Sequence, residues 1–210
     1  MNKKDVDYRL YICTDSGLMT SATVEESVEA AVKGGAGVVQ LREKNASTRE
    51  LFELAVRVKA VTDRYNVPLL INDRIDIALA VGAAGVHLGQ SDMPCDVARR
   101  ILGEDSIIGI TAATPELAVK AQAEGADYLG VGAMFVTSTK SDAKPNTREN
   151  LEKIRSLVDI PIVIIGGVKR SNVMTFAGMG IDGAAVISDI IGDPDPESAA
   201  REMRKILADF

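Results

Sequence analysis

The sequence predicts a single-domain (β/α)8 TIM barrel over residues 1–210. Short, continuously apolar segments alternate with helical patterns eight times, as is typical of a parallel sheet with both faces buried. Eight such units in roughly 200 residues favour a closed barrel. A doubly wound open sheet is the alternative, but no GxGxxG motif follows the first strand. A weak repeat, in which a glycine can take the left-handed conformation that ends a helix, joins helices to strands at residues 34–38, 82–86, 125–128 and 180–184.

The predicted strands are short apolar runs that end in a polar residue or a glycine. Pro68 opens the third strand, and Gly166-Gly167 ends the seventh. In chain order, the predicted strands cover residues 8–14, 38–44, 69–71, 85–88, 106–110, 127–131, 162–165 and 184–187.

The predicted helices follow from apolar residues at helical spacing and from signals at their first residues. Glu25 lies in the first turn of the first helix, where the helix dipole favours an acid. Ser47 or Thr48 caps the second helix, and Pro94 starts the fourth. In chain order, the predicted helices cover residues 24–33, about 48–65, 76–81, 94–102, 115–124, 148–157, 171–178 and 196–207.

The composition excludes several functional classes. Lys+Arg 24 against Asp+Glu 30 gives a net charge of −6, so the chain lacks the basic surface that a nucleic-acid partner requires. No signal-peptide pattern and no apolar run long enough to span a membrane is present. Cys13 and Cys95 have neither metal-binding nor redox spacing. We therefore expect a cytoplasmic protein with reduced thiols and no membrane partner.

The predicted strand over residues 38–44 carries Gln40, Arg42 and Lys44 at alternate positions. Side chains alternate between the two faces of a strand, so these three point the same way. Two cations and an amide donor aimed together suggest an anion, and a phosphate group fits best. A solvated strand end is the alternative, but other strands carry complementary groups to the same side.

In a barrel of this class the reactive residues lie at the carboxyl ends of the strands. Asp73 and Asp92 follow neighbouring strands and could share a magnesium ion, which accepts two carboxylates together with water and phosphate oxygens. The alternative is that Asp73 caps the following helix. With Arg42, Lys44 and Lys140 nearby, these carboxylates predict a diphosphate site.

A second anion site is predicted after the last two strands. Gly166-Gly167 and Ile187-Ser188 follow strands 7 and 8, where barrels of this class bind phosphate through backbone N–H groups. The longest polar connection, residues 136–147, is expected to be mobile without ligand and to order over the diphosphate.

The residues that are missing also restrict the chemistry. His87 is the only histidine and lies within an apolar strand, so we expect it in the core or supporting another residue. There is no Ser-His-Asp arrangement and no Cys-His pair, although Lys44 stays open as a covalent nucleophile. Such a site suits a reaction whose barrier is the departure of diphosphate, with charge stabilisation as the main contribution.

The chain resembles the thiamine phosphate synthase family over essentially its whole length. Each motif is weak alone, but their order and spacing are specific. The matching motifs are Gln40-Leu41-Arg42-Glu43-Lys44, Ile71-Asn72-Asp73, residues 85–92, residues 125–128, Thr137-Ser138-Thr139-Lys140 and Gly166-Gly167.

The resemblance implies a transferase of thiamine biosynthesis. The family joins 4-amino-2-methyl-5-pyrimidinylmethyl diphosphate to a thiazole phosphate, which gives thiamine phosphate and diphosphate. Its reaction is regarded as dissociative, with a pyrimidinylmethyl cation that the thiazole nitrogen captures. Arg42, Lys44, Thr111 and Lys140 would be the catalytic residues.

The resemblance also implies binding roles by position. Asp73 and Asp92 would bind Mg2+. The pyrimidine diphosphate would be held by residues of the QLREK motif and by three further positions, namely Gln40, Leu41, Arg42, Glu43, Lys44, Asn72, Thr111 and Lys140. The thiazole phosphate would be held by Thr137, Ser138, Thr139, Gly167, Ile187 and Ser188.

Some features of the sequence leave alternatives open. The family often has proline where this chain has Ala133 and Val136, and a polar side chain where it has Ala113. A thiazole tautomerase shares the barrel but would not need both carboxylates and the three cations together. A non-catalytic ligand binder of the same pathway could keep the phosphate pocket alone. The sequence leaves the oligomeric state open, and a homo-oligomer is compatible with it.

Overall fold

Parallel strands close into a barrel in the order β1 to β8 in the computed structural model, which describes residues 3–136 and 146–210. The barrel closes because Tyr11 of the first strand is in register with Val38 on one side and with Ala185 on the other. The predicted fold class is therefore confirmed. The strands are β1 Leu10–Cys13, β2 Val38–Leu41, β3 Leu69–Asn72, β4 Gly85–Leu88, β5 Ile107–Thr111, β6 Tyr128–Val131, β7 Ile162–Ile165 and β8 Gly183–Val186.

Helices on the outside of the barrel connect successive strands. Short 3-10 helices cover Lys3–Asp5, Val173–Phe176 and Leu207–Asp209. None of the helices in the two described ranges is long and apolar enough to cross a membrane. The α-helices are α1 Val24–Lys33, α2 Thr48–Arg64, α3 Ile75–Val81, α4 Cys95–Leu102, α5 Pro115–Ala123, α6 Arg148–Arg155, α7 Ser188–Ile191 and α8 Pro196–Ile206.

The prediction of a helix over residues 171–178 was wrong, because only the 3-10 turn Val173–Phe176 forms there. Gly178 and Gly180 adopt φ angles of 76° and 68°, which a right-handed helix cannot continue through. Conversely, the short helix α7 was not predicted, because its four residues are too few to show an apolar period.

Alternation along the strands divides the apolar side chains into two layers. The inner layer fills the barrel and includes Tyr11, Val38, Leu70, Ile107 and Tyr128, each at most 1% exposed. The outer layer packs the alternate strand residues against the helices. The barrel interior between these side chains is therefore a packed core. The cavity that a ligand could enter lies at the carboxyl ends of the strands.

The start of α2 provides a direct test of the local sequence signals. Ser47 and Glu50 form a reciprocal capping box, in which each side chain accepts a hydrogen bond from the backbone N–H of the other. We predict that Ser47→Ala lowers the free energy of unfolding by about 1 kcal/mol, because a backbone N–H loses its acceptor. Urea denaturation measures the change. Ser47→Thr keeps a hydroxyl cap and should lose much less, so equal losses in both variants would contradict the assignment.

Candidate active site

A cavity of about 440 Å³ opens at the carboxyl ends of the strands. This volume lies within the range of small-molecule sites. The structure brings together ten of the predicted site residues in its lining, namely Gln40, Arg42, Lys44, Asn72, Asp73, Asp92, Thr111, Gly167, Ile187 and Ser188. Thr137, Ser138, Thr139 and Lys140 lie outside the described residues.

The cationic side of the cavity is formed by the end of β2 and the loop after it. The strand ends at Leu41, so Arg42 and Lys44 belong to the loop and not to a strand through residue 44 as predicted. The backbone N–H of Arg42 donates to the Thr14 hydroxyl over 3.0 Å, and its guanidinium lies 3.8 Å from the Asp15 carboxylate. The Arg42 side chain is only 13% exposed. Contacts from the end of β1 therefore hold this cation in place.

Two residues of the QLREK motif do not line the cavity. Leu41 is 1% exposed and packs in the outer apolar layer, as strand alternation requires for the neighbour of Gln40. Glu43 accepts hydrogen bonds from the hydroxyls of Thr14 and Ser16 at 2.9 and 2.7 Å. Both residues hold the loop in position in this structure, and their predicted contacts with substrate remain predictions.

The acidic side of the cavity is formed by Asp73 and Asp92. Asp73 has a φ angle of 63°, which is uncommon for any residue other than glycine, and its backbone N–H donates to the His87 carbonyl. Asp92 accepts a hydrogen bond from the Gly89 backbone N–H at 2.7 Å. The strained backbone at Asp73 belongs to the class of features that cluster at functional sites.

Asp73 does not cap the following helix, so that alternative was wrong. Helix α3 begins at Ile75 after Arg74, and no side chain makes a cap hydrogen bond there. The Arg74 guanidinium instead pairs with Asp76. The carboxylate of Asp73 is left to face Asp92 in the cavity.

Burial and the neighbouring Asp92 carboxylate raise the pKa of Asp73 to about 6, while the Lys44 ammonium acts in the opposite direction.

The pair of carboxylates Asp73 and Asp92 suits a hard divalent cation. The described residues contain no group of three or more His, Cys, Asp or Glu side chains that could hold a metal alone. Two carboxylates leave coordination positions for water and phosphate oxygens, which is the pattern that magnesium accepts. The donor set therefore fits the predicted ion.

The predicted phosphate turn at Gly166 and Gly167 packs against the segment after β6. Both glycines have left-handed φ angles, 92° and 67°. A Cβ atom on Gly167 would lie 2.7 Å from the Phe135 Cβ, and the Phe135 N–H donates to the Gly166 carbonyl at 2.9 Å. The glycines thus provide both the turn and the space for residues 133–136, including Ala133 where the family often has proline.

Arg170 was missed by the sequence interpretation, although it stabilises this side of the cavity. Its guanidinium donates to Asp189 at 3.0 Å, Asp193 at 2.7 Å and Glu202 at 2.7 Å. These ion pairs join the loop after β7 to α7 and α8, next to Ile187 and Ser188. Its partners lie 19 to 32 residues away along the chain, so no local pattern indicates them.

His87 was expected in the core or supporting another residue, and it lies partly buried in the cavity lining, where it contacts Thr111. Its two ring nitrogens lie 2.8 Å from the Tyr128 hydroxyl and 2.9 Å from the Thr111 hydroxyl. The tyrosines Tyr11 and Tyr128 were missed as contributors, because aromatic residues in a strand ordinarily indicate only packing.

Comparison with known proteins agrees with this site. The model of the family described as "Thiamine monophosphate synthase" matches residues 10–190. The chain belongs to the thiamine monophosphate synthase family. It is 53% identical over 205 residues to the thiamine-phosphate synthase of Ruminiclostridium cellulolyticum, with 98% of each chain covered. It is 47% identical to the thiamine-phosphate synthase of Methanobrevibacter smithii, with 96% of each chain covered.

A solved structure gives the same assignment. The thiamine phosphate pyrophosphorylase from Pyrococcus furiosus superposes with a TM-score of 0.89 at 41% identity, and the match covers 97% of this chain and 96% of that one. A 3-hexulose-6-phosphate synthase at 20% identity and a TM-score of 0.66 shows the shared fold alone. Membership of the thiamine monophosphate synthase family makes this chain an enzyme, a transferase of thiamine biosynthesis.

The raised pKa of Asp73 gives a prediction for the metal-free protein. Asp92→Asn removes the neighbouring charge but leaves the burial, so the pKa of Asp73 should fall from about 6 towards its ordinary value. In the wild type, folding favours the protonated form of Asp73 because its pKa is raised. Protonated Asp73 therefore adds to the free energy of unfolding below about pH 4, and this contribution is lost as the pH rises through about 6. A carboxyl-carbon NMR titration measures the pKa directly. An unchanged pKa in Asp92→Asn would show that burial alone is responsible.

Proposed function

We propose that this enzyme joins 4-amino-2-methyl-5-pyrimidinylmethyl diphosphate to a thiazole phosphate, with magnesium, by departure of diphosphate before capture by the thiazole nitrogen. The observation that supports this most is the meeting of Arg42, Lys44, Asp73 and Asp92 in one cavity. Cations and a carboxylate pair in one cavity match a substrate that carries several phosphate charges and a bound metal.

The fixed cations would stabilise the leaving group. Arg42 can make paired hydrogen bonds to phosphate oxygens, and Lys44 adds a compact positive charge beside Asp73. Because contacts with Thr14 and Asp15 hold Arg42 before substrate arrives, little reorganisation of this cation is needed as negative charge develops on the diphosphate. Lys140 has the same role by resemblance, outside the described residues.

Asp73 and Asp92 would hold the magnesium ion. When bound, the ion supplies Lewis-acid stabilisation to phosphate oxygens. The carboxylates would fix its position at the edge of the cavity formed by β3 and β4, and β3 pairs with β2, the strand that precedes Arg42. Arg42 and Lys44 would meet the oxygens of a diphosphate from the neighbouring wall.

The departure of diphosphate needs no attacking group from the enzyme. Lys44 was left open as a covalent nucleophile, but it shares the cavity with Asp73 and Asp92, where its role in the proposal is to stabilise the charge of the diphosphate. The thiazole phosphate would be held by the backbone of Gly167, Ile187 and Ser188 on the opposite wall. Thr137, Ser138 and Thr139 would complete that phosphate site.

The two alternative functions have weaker support. A thiazole tautomerase has no use for a carboxylate pair facing two cations, and these groups share the cavity. A non-catalytic ligand binder does not need Asp73 in a strained conformation beside a second carboxylate.

The metal dependence can be tested at Asp92. We predict that Asp92→Ala loses most thiamine phosphate formation while the fold survives, because one of two carboxylates for the ion is removed. The rate is measured with both substrates and magnesium. The control is Asp96→Ala, since Asp96 is 54% exposed on α4 and outside the cavity lining. Full activity of the wild type in excess chelator would contradict the proposal.

The order of bond breaking can be tested with a substrate analogue. Replacing the pyrimidine methyl group by trifluoromethyl destabilises positive charge at the exocyclic carbon, so we predict that single-turnover rates fall by orders of magnitude. Each ~1.4 kcal/mol added to the barrier costs about tenfold in rate. Binding should change much less, because Arg42, Lys44 and the metal hold the diphosphate. Equal rates for the two substrates, or an enzyme-bound pyrimidine detected by mass spectrometry, would overturn the dissociative reaction.

A further inference from the structure

A continuous chain of hydrogen bonds crosses the barrel beneath the cavity. The Gln40 amide Nε2 donates to the Tyr11 hydroxyl at 2.7 Å, and that hydroxyl lies 2.8 Å from the Tyr128 hydroxyl. Tyr128 lies 2.8 Å from His87 Nδ1, and His87 Nε2 lies 2.9 Å from the Thr111 hydroxyl. The chain therefore connects two predicted site residues, Gln40 on β2 and Thr111 on β5, through three others.

The direction of this chain follows from counting protons. Each tyrosine hydroxyl has one proton and can accept two hydrogen bonds. Tyr11 accepts from Gln40 Nε2, and donation of its own proton to Tyr128 is the arrangement that gives every buried hydroxyl of this chain of hydrogen bonds an acceptor. Tyr128 must then donate to His87 Nδ1, which places the proton of the neutral imidazole on Nε2. His87 in turn donates to the Thr111 oxygen. The Thr111 proton is not used by the chain and is available to a ligand in the cavity.

The surroundings keep this arrangement in place. Tyr11 and Tyr128 are each 1% exposed, and burial raises the pKa of both phenols well above the usual value, so both keep their protons at neutral pH. Gly109 and Gly130 provide the space for the rings. A Cβ atom on Gly109 would overlap the Tyr128 ring, and one on Gly130 would lie 2.8 Å from His87 Cε1.

We propose that Tyr11, Tyr128 and His87 are positioning residues that fix Gln40 as a hydrogen-bond acceptor and Thr111 as a hydrogen-bond donor towards the substrate. With its nitrogen held by Tyr11, Gln40 has its carbonyl oxygen left for a ligand. Gln40 is 3% exposed and lies on β2, two residues before Arg42. A diphosphate on Arg42 and Lys44 thus places its pyrimidine ring towards Gln40.

The consequence for specificity rests on the proposed function. A fixed carbonyl oxygen selects a substrate with an N–H donor, which is the exocyclic amino group of the pyrimidine. It rejects the analogue with a carbonyl oxygen at that position, because two acceptors would face each other. The Thr111 hydroxyl is a hydrogen-bond donor, whereas the Gln40 carbonyl oxygen is an acceptor, so Thr111 suits an anionic oxygen of the substrate.

The proton positions can be measured without any substrate. The chain has a single histidine, so 15N-labelling of the imidazole gives one pair of ring signals. We predict that the wild type at neutral pH contains His87 as the neutral tautomer protonated on Nε2, and that Tyr128→Phe loses this single tautomer. Protonation on Nδ1, or on both nitrogens, would overturn the proposal. This result does not depend on catalysis, so it stands apart from the outcome of the proposed function.

The specificity can be measured with a matched pair of variants. Tyr11→Phe removes the hydroxyl that holds Gln40, and we predict that selectivity for the 4-amino over the 4-oxo pyrimidine diphosphate in kcat/KM falls by about tenfold, the value of one hydrogen bond. Tyr8→Phe is the control. Tyr8 stacks on Tyr128 with ring centroids 4.8 Å apart, but its hydroxyl has no hydrogen-bond partner among the described residues.

The two variants separate positioning from packing. Tyr8→Phe should keep both the selectivity and the His87 tautomer of the wild type, because it changes the same aromatic cluster without touching the chain. Equal loss of selectivity in both variants would show that only packing matters and would overturn the positioning role. Unchanged selectivity in Tyr11→Phe would do the same.

Discussion

Pairing of β1 with β8 closes the sheet, and every feature of the site depends on that closure. Without it, Arg42 beside β2 and Ser188 beside β8 would lie at opposite edges of an open sheet. With it, the carboxyl ends of all the strands surround one cavity. The inner layer of Tyr11, Tyr128 and their apolar neighbours fills the barrel below, so that ligands can enter only from one end.

The cavity carries charges of both signs on different walls. The protein carries a net charge of −6, yet Arg42 and Lys44 are held on one wall of the cavity. On the neighbouring wall, burial and the adjacent Asp92 carboxylate raise the pKa of Asp73. A magnesium diphosphate would satisfy both walls, because its metal meets the carboxylates and its oxygens meet the cations.

The sequence predicted the parts of the fold and site that depend on local patterns. Gln40, Arg42 and Lys44 were predicted to point the same way and do line one cavity. The predicted reason was wrong for two of them, because β2 ends at Leu41 and contacts from Thr14 and Asp15 hold Arg42. The contacts of Arg170 and the tyrosine pair could not be predicted, because their partners are distant in sequence. Tyr11 and Tyr128, for example, are 117 residues apart. Hydrogen bonds of this kind follow from barrel closure and not from any local period.

We propose that this cavity couples two substrates by releasing diphosphate from one of them. The most direct measurement mixes the purified chain with the pyrimidine diphosphate, the thiazole phosphate and magnesium, and follows all phosphorus species by 31P NMR. The account predicts that thiamine phosphate and diphosphate form in equal amounts and that neither forms when magnesium is omitted. Release of orthophosphate, or of diphosphate without coupled product, would contradict it.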